Sequence, residues 1–261
     1  MTTALRTQSG RAAAAPPPGP EARAALAWAH GARFLTTAGQ LDQLPPATLP
    51  EIAFVGRSNA GKSSAINALA QHRRLAFASR TPGRTQHINL FDVGPKDRPD
   101  ARFADLPGYG YAKVERGAKL RWQAVMAEYL VQRECLAGVV LLVDSRLGLT
   151  DLDERLLAVI APRVMDGSVR LLVLLTKADK LSRREADAAV ARTQAMLAGL
   201  ASDEADIGLT LFSSLSRQGL ADVAETIWAW RQVEPAADAP QPQPGTDPDP
   251  ALDPAAPASA P

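Results

Sequence analysis

Residues 51–64, EIAFVGRSNAGKSS, carry the pattern that decides the fold. Gly56, Gly61, Lys62 and Ser63 have the spacing G-x-x-x-x-G-K-[ST], directly after an apolar run and before a stretch of helical periodicity. Glycines in such a turn let backbone N–H groups point inward, and a helix N-terminus adds partial positive charge. The stretch therefore predicts a phosphate-binding loop between a strand and a helix.

The rest of the sequence alternates short apolar runs with longer helical stretches. Runs such as 138–144 (GVVLLVD) and 170–175 (RLLVLL) are apolar at consecutive positions, which is typical of central strands covered by helices on both faces. This alternation predicts a doubly wound α/β fold. The predicted strands are 51–56, 87–93, 101–105, 138–144, 170–175 and 207–213. The predicted helices are 62–71, 116–133, 151–165, 183–200 and 217–231.

Composition separates a folded body from two tails. The chain has 261 residues, of which 46% are hydrophobic, so it can bury a full core. Its 29 basic and 28 acidic side chains exclude a polycation or a strongly acidic protein. Large apolar side chains are almost absent from residues 1–20 and 232–261, so both segments are expected to be disordered.

Cysteine content and hydropathy bear on the compartment. The single cysteine, Cys135, cannot form an internal disulfide, and no run approaches the roughly 18 apolar residues of a membrane span. No N-terminal stretch combines a basic start with an apolar segment. We therefore expect a cytoplasmic protein without membrane contacts.

A second phosphate-related motif lies downstream. Asp105 ends a predicted strand in DLPG (105–108), where its carboxylate can hold a water molecule on Mg²⁺. Ser63 would supply a hydroxyl to the same ion, Lys62 would bridge the β- and γ-phosphates, and the Gly108 amide would meet the γ-phosphate. A four-residue D-x-x-G is weak by itself, and its position after a strand strengthens it.

The sequence TKAD, residues 176–179, indicates which base is bound. The Asp179 carboxylate can accept hydrogen bonds from the N1–H and N2–H₂ groups of guanine, whereas adenine would leave it unpaired. Lys177 would lay its aliphatic stem over the base, and Thr176 would tie this segment to the phosphate loop. In FSSLSRQG (212–219), backbone groups near Ser213 could donate to guanine O6.

Five segments together resemble the EngB (YihA/YsxC) family, which is related to the TrmE, Era and EngA GTPases. They are GRSNAGKSS, TPGRTQHINLF (81–91), DLPGYGYA (105–112), LLTKADKL (174–181) and FSSLSRQG. The resemblance implies one Ras-like P-loop NTPase domain over 28–231, with a mixed six-stranded sheet between two helical layers. It leaves 1–27 as a disordered extension and 232–261 as a disordered tail rich in Pro, Ala and Asp.

The same resemblance implies a function. It predicts binding of GTP and GDP with Mg²⁺, weak GTP hydrolysis, a role in late assembly of the large ribosomal subunit, and a requirement in cell division and septation. A monomer is expected.

Carried over motif by motif, the resemblance also predicts site residues. It makes 83–87 the first switch, and Thr85 joins Ser63 as a metal ligand. Lys62, Asn59 and Gly108 are expected to act in catalysis. The expected nucleotide contacts are Gly56, Arg57, Ser58, Asn59, Ala60, Gly61, Lys62, Ser63, Gly83, Arg84, Thr85, Gln86, His87, Asp105, Leu106, Pro107, Gly108, Thr176, Lys177, Ala178, Asp179, Phe212, Ser213 and Ser214.

Two residues bear on the rate of hydrolysis. Tyr109 stands where many small GTPases have the glutamine that orients the attacking water, so hydrolysis should be slow unless another group stabilises the developing charge. Asn59 resembles the asparagine of potassium-dependent relatives, which predicts stimulation by K⁺. The alternative is that Asn59 only caps or packs the loop, and the sequence leaves both open.

Basic residues cluster near the predicted switches and suit ribosomal RNA phosphates, although a solvated charged face is the alternative. They are Arg57, Lys62, Arg73, Arg74, Arg80 and Arg84, followed by Lys113, Arg116, Lys119, Arg121 and Arg133. Two further functions remain as alternatives to a ribosome-assembly GTPase: a septin-like, self-associating GTPase that acts directly in division, and a P-loop phosphotransferase.

Overall fold

A single mixed β-sheet forms the centre of the protein in the computed structural model, which describes residues 6–8, 18–76, 87–110 and 116–232. The strands are β1 (Arg6–Gln8), β2 (Arg33–Ala38), β3 (Glu51–Gly56), β4 (Ile88–Val93), β5 (Ala101–Asp105), β6 (Leu136–Asp144), β7 (Arg170–Thr176) and β8 (Ile207–Leu211). Their order across the sheet is β1-β8-β7-β6-β3-β5-β4-β2. In this order, each strand from β1 across to β5 is parallel to its neighbour. Strand β4 is antiparallel to both β5 and β2.

In the described part of the chain, six α-helices cover the sheet on its two faces. They are α1 (Pro20–His30), α2 (Lys62–Leu69), α3 (Arg116–Gln132), α4 (Asp151–Met165), α5 (Arg183–Leu197) and α6 (Leu220–Ala229). One apolar cluster joins the sheet to α1, α2 and α6, and a second joins it to α3, α4 and α5. The predicted three-layer α/β architecture is thereby confirmed.

The central strands owe their position to their uninterrupted apolar character. Every residue of β3 and β6 is buried, because helices pack against both faces of these strands. The parallel strands β3, β5, β6, β7 and β8 all run in the same direction. The loops that follow them therefore meet at one edge of the sheet, formed by the carboxyl ends of these strands. The phosphate loop and TKAD both lie at this edge.

The predicted strand count of six is corrected, because the described residues form eight strands. All six predicted strands are present, and β2 and β1 add one strand at each edge of the sheet. Strand β2 lacks an apolar run of the kind that marked the others, since it lies at an edge and exposes 57% of Phe34. The three residues of β1 pair with β8 in a parallel register.

The predicted boundary at residue 28 is also corrected, because α1 begins at Pro20. This helix packs on α6 with a stripe of small side chains, among them Ala22, Ala25 and Ala29, so it needs few large apolar residues to be buried. The Trp28 indole N–H donates to Asp100 Oδ1 at 2.6 Å. Residues 1–5, 9–17 and 233–261, where disorder was predicted, lie outside the described residues.

A buried ionic network joins α3 to the start of β3, at the amino-terminal end of this strand and opposite the phosphate loop. Glu51, which is fully buried, accepts hydrogen bonds from Tyr129 Oη at 2.7 Å and from Arg133 Nη2 at 2.6 Å. Burial and the nearby Glu51 raise the pKa of the half-buried Cys135 thiol to about 12. Arg133 was predicted to contact RNA, and here its guanidinium is instead paired within the fold.

Within the described part of the chain, no helix combines the length and the apolar character that a membrane crossing requires.

Candidate functional site

The phosphate loop connects the end of β3 to the first residue of α2. Gly61 caps the helix with φ +105°, a left-handed conformation that favours glycine. Lys62 is 8% exposed, and its Nζ donates to the Gly56 carbonyl at 3.1 Å, so its ammonium is held across the mouth of the loop. Burial lowers the pKa of Lys62, and the nearby Asp105 opposes that shift. The loop thus holds a buried cation beside the Gly56 carbonyl.

Asp105 and Ser63 form an oxygen-rich position next to Lys62. Ser63 Oγ lies 3.4 Å from Asp105 Oδ2, and Asp105 Oδ1 is buried without a hydrogen-bond partner among the described residues. Burial raises the pKa of Asp105 to about 6, although Lys62 and Ser63 oppose this shift. A hydroxyl beside a carboxylate with an unpaired oxygen fits a hard cation such as Mg²⁺, which takes few protein ligands.

The DLPG segment lies directly against the phosphate loop. Ser58 Oγ donates to the Gly108 carbonyl at 3.2 Å, and the Ser58 amide donates to the Tyr109 carbonyl at 2.8 Å. A Cβ at position 108 would come within 2.8 Å of Lys62 Nζ. It would also lie 3.0 Å from Ser58 Cα and 3.1 Å from Ser58 N, so a larger residue at this position would require the phosphate loop to shift.

Tyr109 points away from this contact and into the core. The residue is 2% exposed, and its hydroxyl donates to Asp153 Oδ1 at 2.6 Å. Burial, followed by the charge of Asp153, raises the pKa of Tyr109 far above its usual range, so the phenol stays neutral. The other oxygen of Asp153 accepts from the Thr150 amide at 2.8 Å in the capping box of α4. In this arrangement the phenol cannot orient an attacking water.

The TKAD segment is tied to the phosphate loop by two hydrogen bonds. Thr176 Oγ1 donates to the Ala60 carbonyl at 2.7 Å, and Lys177 Nζ donates to the Asn59 carbonyl at 2.9 Å. Asn59 and Lys177 both have positive φ, 66° and 59° respectively, so each holds a strained backbone where the two loops meet. Two loops far apart in sequence thereby form one surface.

Asp179 is held in place by the loop that follows β8. Ser213 Oγ donates to Asp179 Oδ1 at 2.6 Å, and the Leu215 and Ser216 amides donate to the same Ser213 oxygen at 3.2 and 3.1 Å. The bond from Ser213 is the largest of the effects that lower the pKa of Asp179. The carboxylate is therefore ionised and fixed in direction at the edge of the sheet.

Comparison with known proteins decides the family. A family described as 50S ribosome-binding GTPase matches residues 51–177. The chain is 57% identical over 205 residues to a probable GTP-binding protein EngB of Acidovorax ebreus, which covers 78% of this chain and 90% of the relative. It is 54% identical over 230 residues to the EngB of Polaromonas sp., covering 88% and 90% of the two chains. The chain belongs to the EngB family of GTP-binding proteins.

Solved structures agree with this fold. The crystal structure of a probable GTP-binding protein EngB aligns with TM-score 0.51 and 19% identity, covering 69% of this chain and 98% of that one. Era in complex with MgGDPNP and a segment of 16S ribosomal RNA aligns with TM-score 0.54 and 19% identity, covering 74% and 60%. At these identities the likeness concerns the fold alone.

The predicted site residues of this EngB protein differ in where the structure places them. Residues 56–63, 105–108, 176–179 and 212–214 converge at one edge of the sheet. Leu106 and Phe212 are buried in the core, and the Phe212 amide donates to the Leu175 carbonyl, so these two position backbone segments. His87 is exposed beside Gly39. Gly83, Arg84, Thr85 and Gln86 lie outside the described residues.

Sequence reasoning missed two carboxylates of this EngB site. Asp144 ends β6 and contacts Lys177, and Asp153 holds Tyr109. The signal for Asp144 was available, since it ends an apolar strand in the same way as Asp105. For Asp153, the surrounding sequence predicted only the start of a helix.

Proposed function

We propose that this EngB protein is a slow, Mg²⁺-dependent GTPase of the cytoplasm that acts as a nucleotide-gated assembly factor for the large ribosomal subunit. It would also be needed for normal cell division and septation. The observation that supports the proposal most strongly is the Asp179 carboxylate, held by Ser213 beside the phosphate loop. A fixed, ionised acceptor at this position favours guanine over adenine.

Hydrolysis would be slow because the residue after DLPG is removed from the phosphates. The Tyr109 hydroxyl bonds to Asp153, so catalysis would depend on Lys62, the Gly108 amide and the metal ion. Mg²⁺ would be held by Ser63 and Thr85, with Asp105 acting through water, and would neutralise charge on the β- and γ-phosphates. The chain's own residues would orient the phosphates.

A potassium ion is the further candidate for stabilising charge. The Asn59 side chain is exposed on the phosphate loop, and its carbonyl is bonded to Lys177. We expect GTP turnover with ribosomal subunits present to be faster in K⁺ than in Na⁺. Equal rates in the two salts would leave Asn59 with a structural role only.

The ribosome is proposed as the partner on two grounds. The family that matches residues 51–177 is described as ribosome-binding, and exposed cations lie beyond α2. Arg73 and Arg74 are exposed there, just before the segment 77–86. Arginines next to a switch would make RNA binding sensitive to both nucleotide and salt.

The test is co-sedimentation of the full chain with purified large subunits, in the presence of GDP or of a non-hydrolysable GTP analogue. We expect association with the analogue, weak association with GDP, and a loss at higher salt. The paired variant Arg73→Ala and Arg74→Ala should bind more weakly. The paired variant Arg183→Ala and Arg184→Ala, on the exposed face of α5, removes the same charge and should bind normally.

The two alternatives make different predictions. A septin-like protein would form GTP-dependent polymers, which light scattering on the same samples would detect. A phosphotransferase would consume GTP only when an acceptor is supplied. Absence of large-subunit association in both nucleotide states would overturn the ribosomal proposal.

A further inference from the structure

A buried carboxylate at the end of β6 connects the two nucleotide loops to a third loop. Asp144 has a side chain that is 9% exposed, and it accepts hydrogen bonds from two cationic side chains. Arg146 binds it in a fork, with Nε 2.9 Å from Oδ1 and Nη2 2.7 Å from Oδ2. The Arg146 amide adds a third bond to Oδ1 at 3.1 Å. The direction of the carboxylate is thus fixed by its own loop.

The second cation on this carboxylate is Lys177 of the TKAD segment. Its Nζ donates to Asp144 Oδ2 at 2.8 Å and to the Asn59 carbonyl of the phosphate loop at 2.9 Å. One ammonium group therefore joins three loops, which follow β3, β6 and β7. These two bonds fix the direction of the lysine stem, on a residue whose backbone is left-handed with φ 59°.

The electrostatics favour a permanently charged cluster. Burial acts against ionisation of Asp144, but the hydrogen bonds from Arg146 and Lys177 outweigh it and hold the pKa of this carboxyl well below its usual range. The planar guanidinium matches a carboxylate with two parallel bonds, a geometry that a lysine cannot supply. Arg146 is half-exposed, so it holds Asp144 from the solvent side.

We propose that Asp144 and Arg146 are positioning residues for guanine-nucleotide binding, in which the Arg146 fork orients Asp144 and Asp144 in turn holds Lys177 against the phosphate loop. The inference rests on the proposed nucleotide function. Neither residue needs to contact the ligand. They act by fixing the lysine stem and the loop before the nucleotide arrives, which reduces the ordering cost of binding.

The location of the cluster formed by Asp144, Arg146 and Lys177 explains why a substitution in it would change nucleotide affinity. Lys177 lies two residues before Asp179, and Asp179 also adds its charge to the field at Arg146. The cluster contacts the phosphate loop at Asn59, on the side of the loop nearest TKAD. Because none of these bonds involves Gly108 or Asp105, we expect GDP and GTP affinities to change by the same factor.

The experiment is a double-mutant cycle on GDP affinity, measured by calorimetry with the full chain. Arg146→Met should weaken GDP binding by roughly 3- to 10-fold, and Lys177→Met should weaken it more, on the scale of coupled neighbouring residues. The combined variant should bind no more weakly than Lys177→Met alone, because Arg146 acts through Lys177. Arg155→Met, an exposed arginine on α4, is the control for charge and should bind as the wild type does.

A conservative variant distinguishes the orientation of Asp144 by the guanidinium fork from the effect of a positive charge alone. Arg146→Lys keeps the charge but loses the fork, so it should recover only part of the affinity lost in Arg146→Met. A full recovery, an unchanged affinity in Arg146→Met, or strictly additive losses in the cycle would each overturn the inference. Failure of the wild-type chain to bind GDP would instead remove the proposed function, and the inference with it.

A fold check accompanies the cycle. Arg146 is half-exposed at a loop, so we expect Arg146→Met to keep the wild-type circular dichroism spectrum. Asp144→Asn is the second variant, and it should reproduce the loss of affinity for GDP and for a GTP analogue by equal factors. A loss confined to the GTP analogue would contradict the inference.

Discussion

Ser213 Oγ donates to Asp179 Oδ1, and the other carboxylate oxygen, Oδ2, lies 3.5 Å from Nζ of the exposed Lys180. For Asp179→Asn, we expect GTP affinity to fall by roughly 100-fold, since an amide would present a donor to the donor groups of guanine. Xanthosine triphosphate, whose base carries an acceptor at that edge, should bind better to the variant. Competition binding against a fluorescent nucleotide measures both.

The control for this substitution is Asp187→Asn, on the exposed face of α5. It removes the same charge and should leave GTP affinity unchanged. If Asp179→Asn also binds GTP normally, Asp179 does not read the base.

The Tyr109 hydroxyl has a structural role that the sequence alone does not indicate. Tyr109→Phe removes the donor to Asp153 Oδ1 inside the core, so it should lower the free energy of unfolding by about 1–3 kcal/mol. The rate of GTP hydrolysis at saturating GTP should remain within about twofold, which is less than about 0.5 kcal/mol at the transition state, because the hydroxyl bonds to Asp153 inside the core and would not act on the phosphates. Urea unfolding and a phosphate-release assay test the two halves. A large loss of turnover with unchanged stability would contradict this assignment.

At the scale of elements, α1 is part of the folded domain. A chain that begins at residue 18 should unfold at the same temperature as the full chain, apart from any contribution of β1. A chain that begins at residue 31 would uncover the buried face of α6 around Val223 and Ile227, and should lose several degrees or aggregate. Differential scanning calorimetry of the two truncated chains distinguishes them. Equal stability would mean that α1 packs too weakly to matter.

The ion pair between Asp144, at the end of β6, and Lys177, just after β7, should be sensitive to acid. Because the folded-state pKa of Asp144 lies below its unfolded value, its contribution to stability is present above the unfolded value and is lost as the pH falls through the acid range. Asp144→Asn should therefore lose less stability than the wild type between about pH 5 and pH 3. Urea midpoints across this range give the comparison, and parallel curves would contradict it.

Features marked by a short run of neighbouring residues could be predicted from the sequence. Features that depend on packing or on contacts between distant residues could not. The strands β3 to β8 and the phosphate loop were predictable, because each is marked by a short run of neighbouring residues. Strand β2 and helix α1 were not, since an exposed edge and a stripe of alanines lack large apolar side chains. The Asp144–Lys177 contact joins residues that only the folded sheet brings together. The roles predicted for residues 83–86 remain predictions.

At the scale of the whole molecule, nucleotide binding and folding are linked. GDP at about 100 times its dissociation constant should add about 2.7 kcal/mol to the free energy of unfolding of a protein that binds it only when folded. A chain ending at residue 232 should show the same gain, because the predicted nucleotide contacts all precede that residue. Thermal scans with and without GDP measure both chains. A smaller gain in the shortened chain would indicate that the tail contributes to binding.

The environment of Cys135 determines how this protein can be labelled. A thiol whose pKa is raised to about 12 is almost entirely protonated at neutral pH, and protonated thiols react slowly with maleimides. Leu215 is 79% exposed in the loop that holds Asp179, so Leu215→Cys would offer a far more reactive thiol there. A fluorophore could be attached at that position with the natural cysteine left in place, and its signal would follow nucleotide exchange in real time.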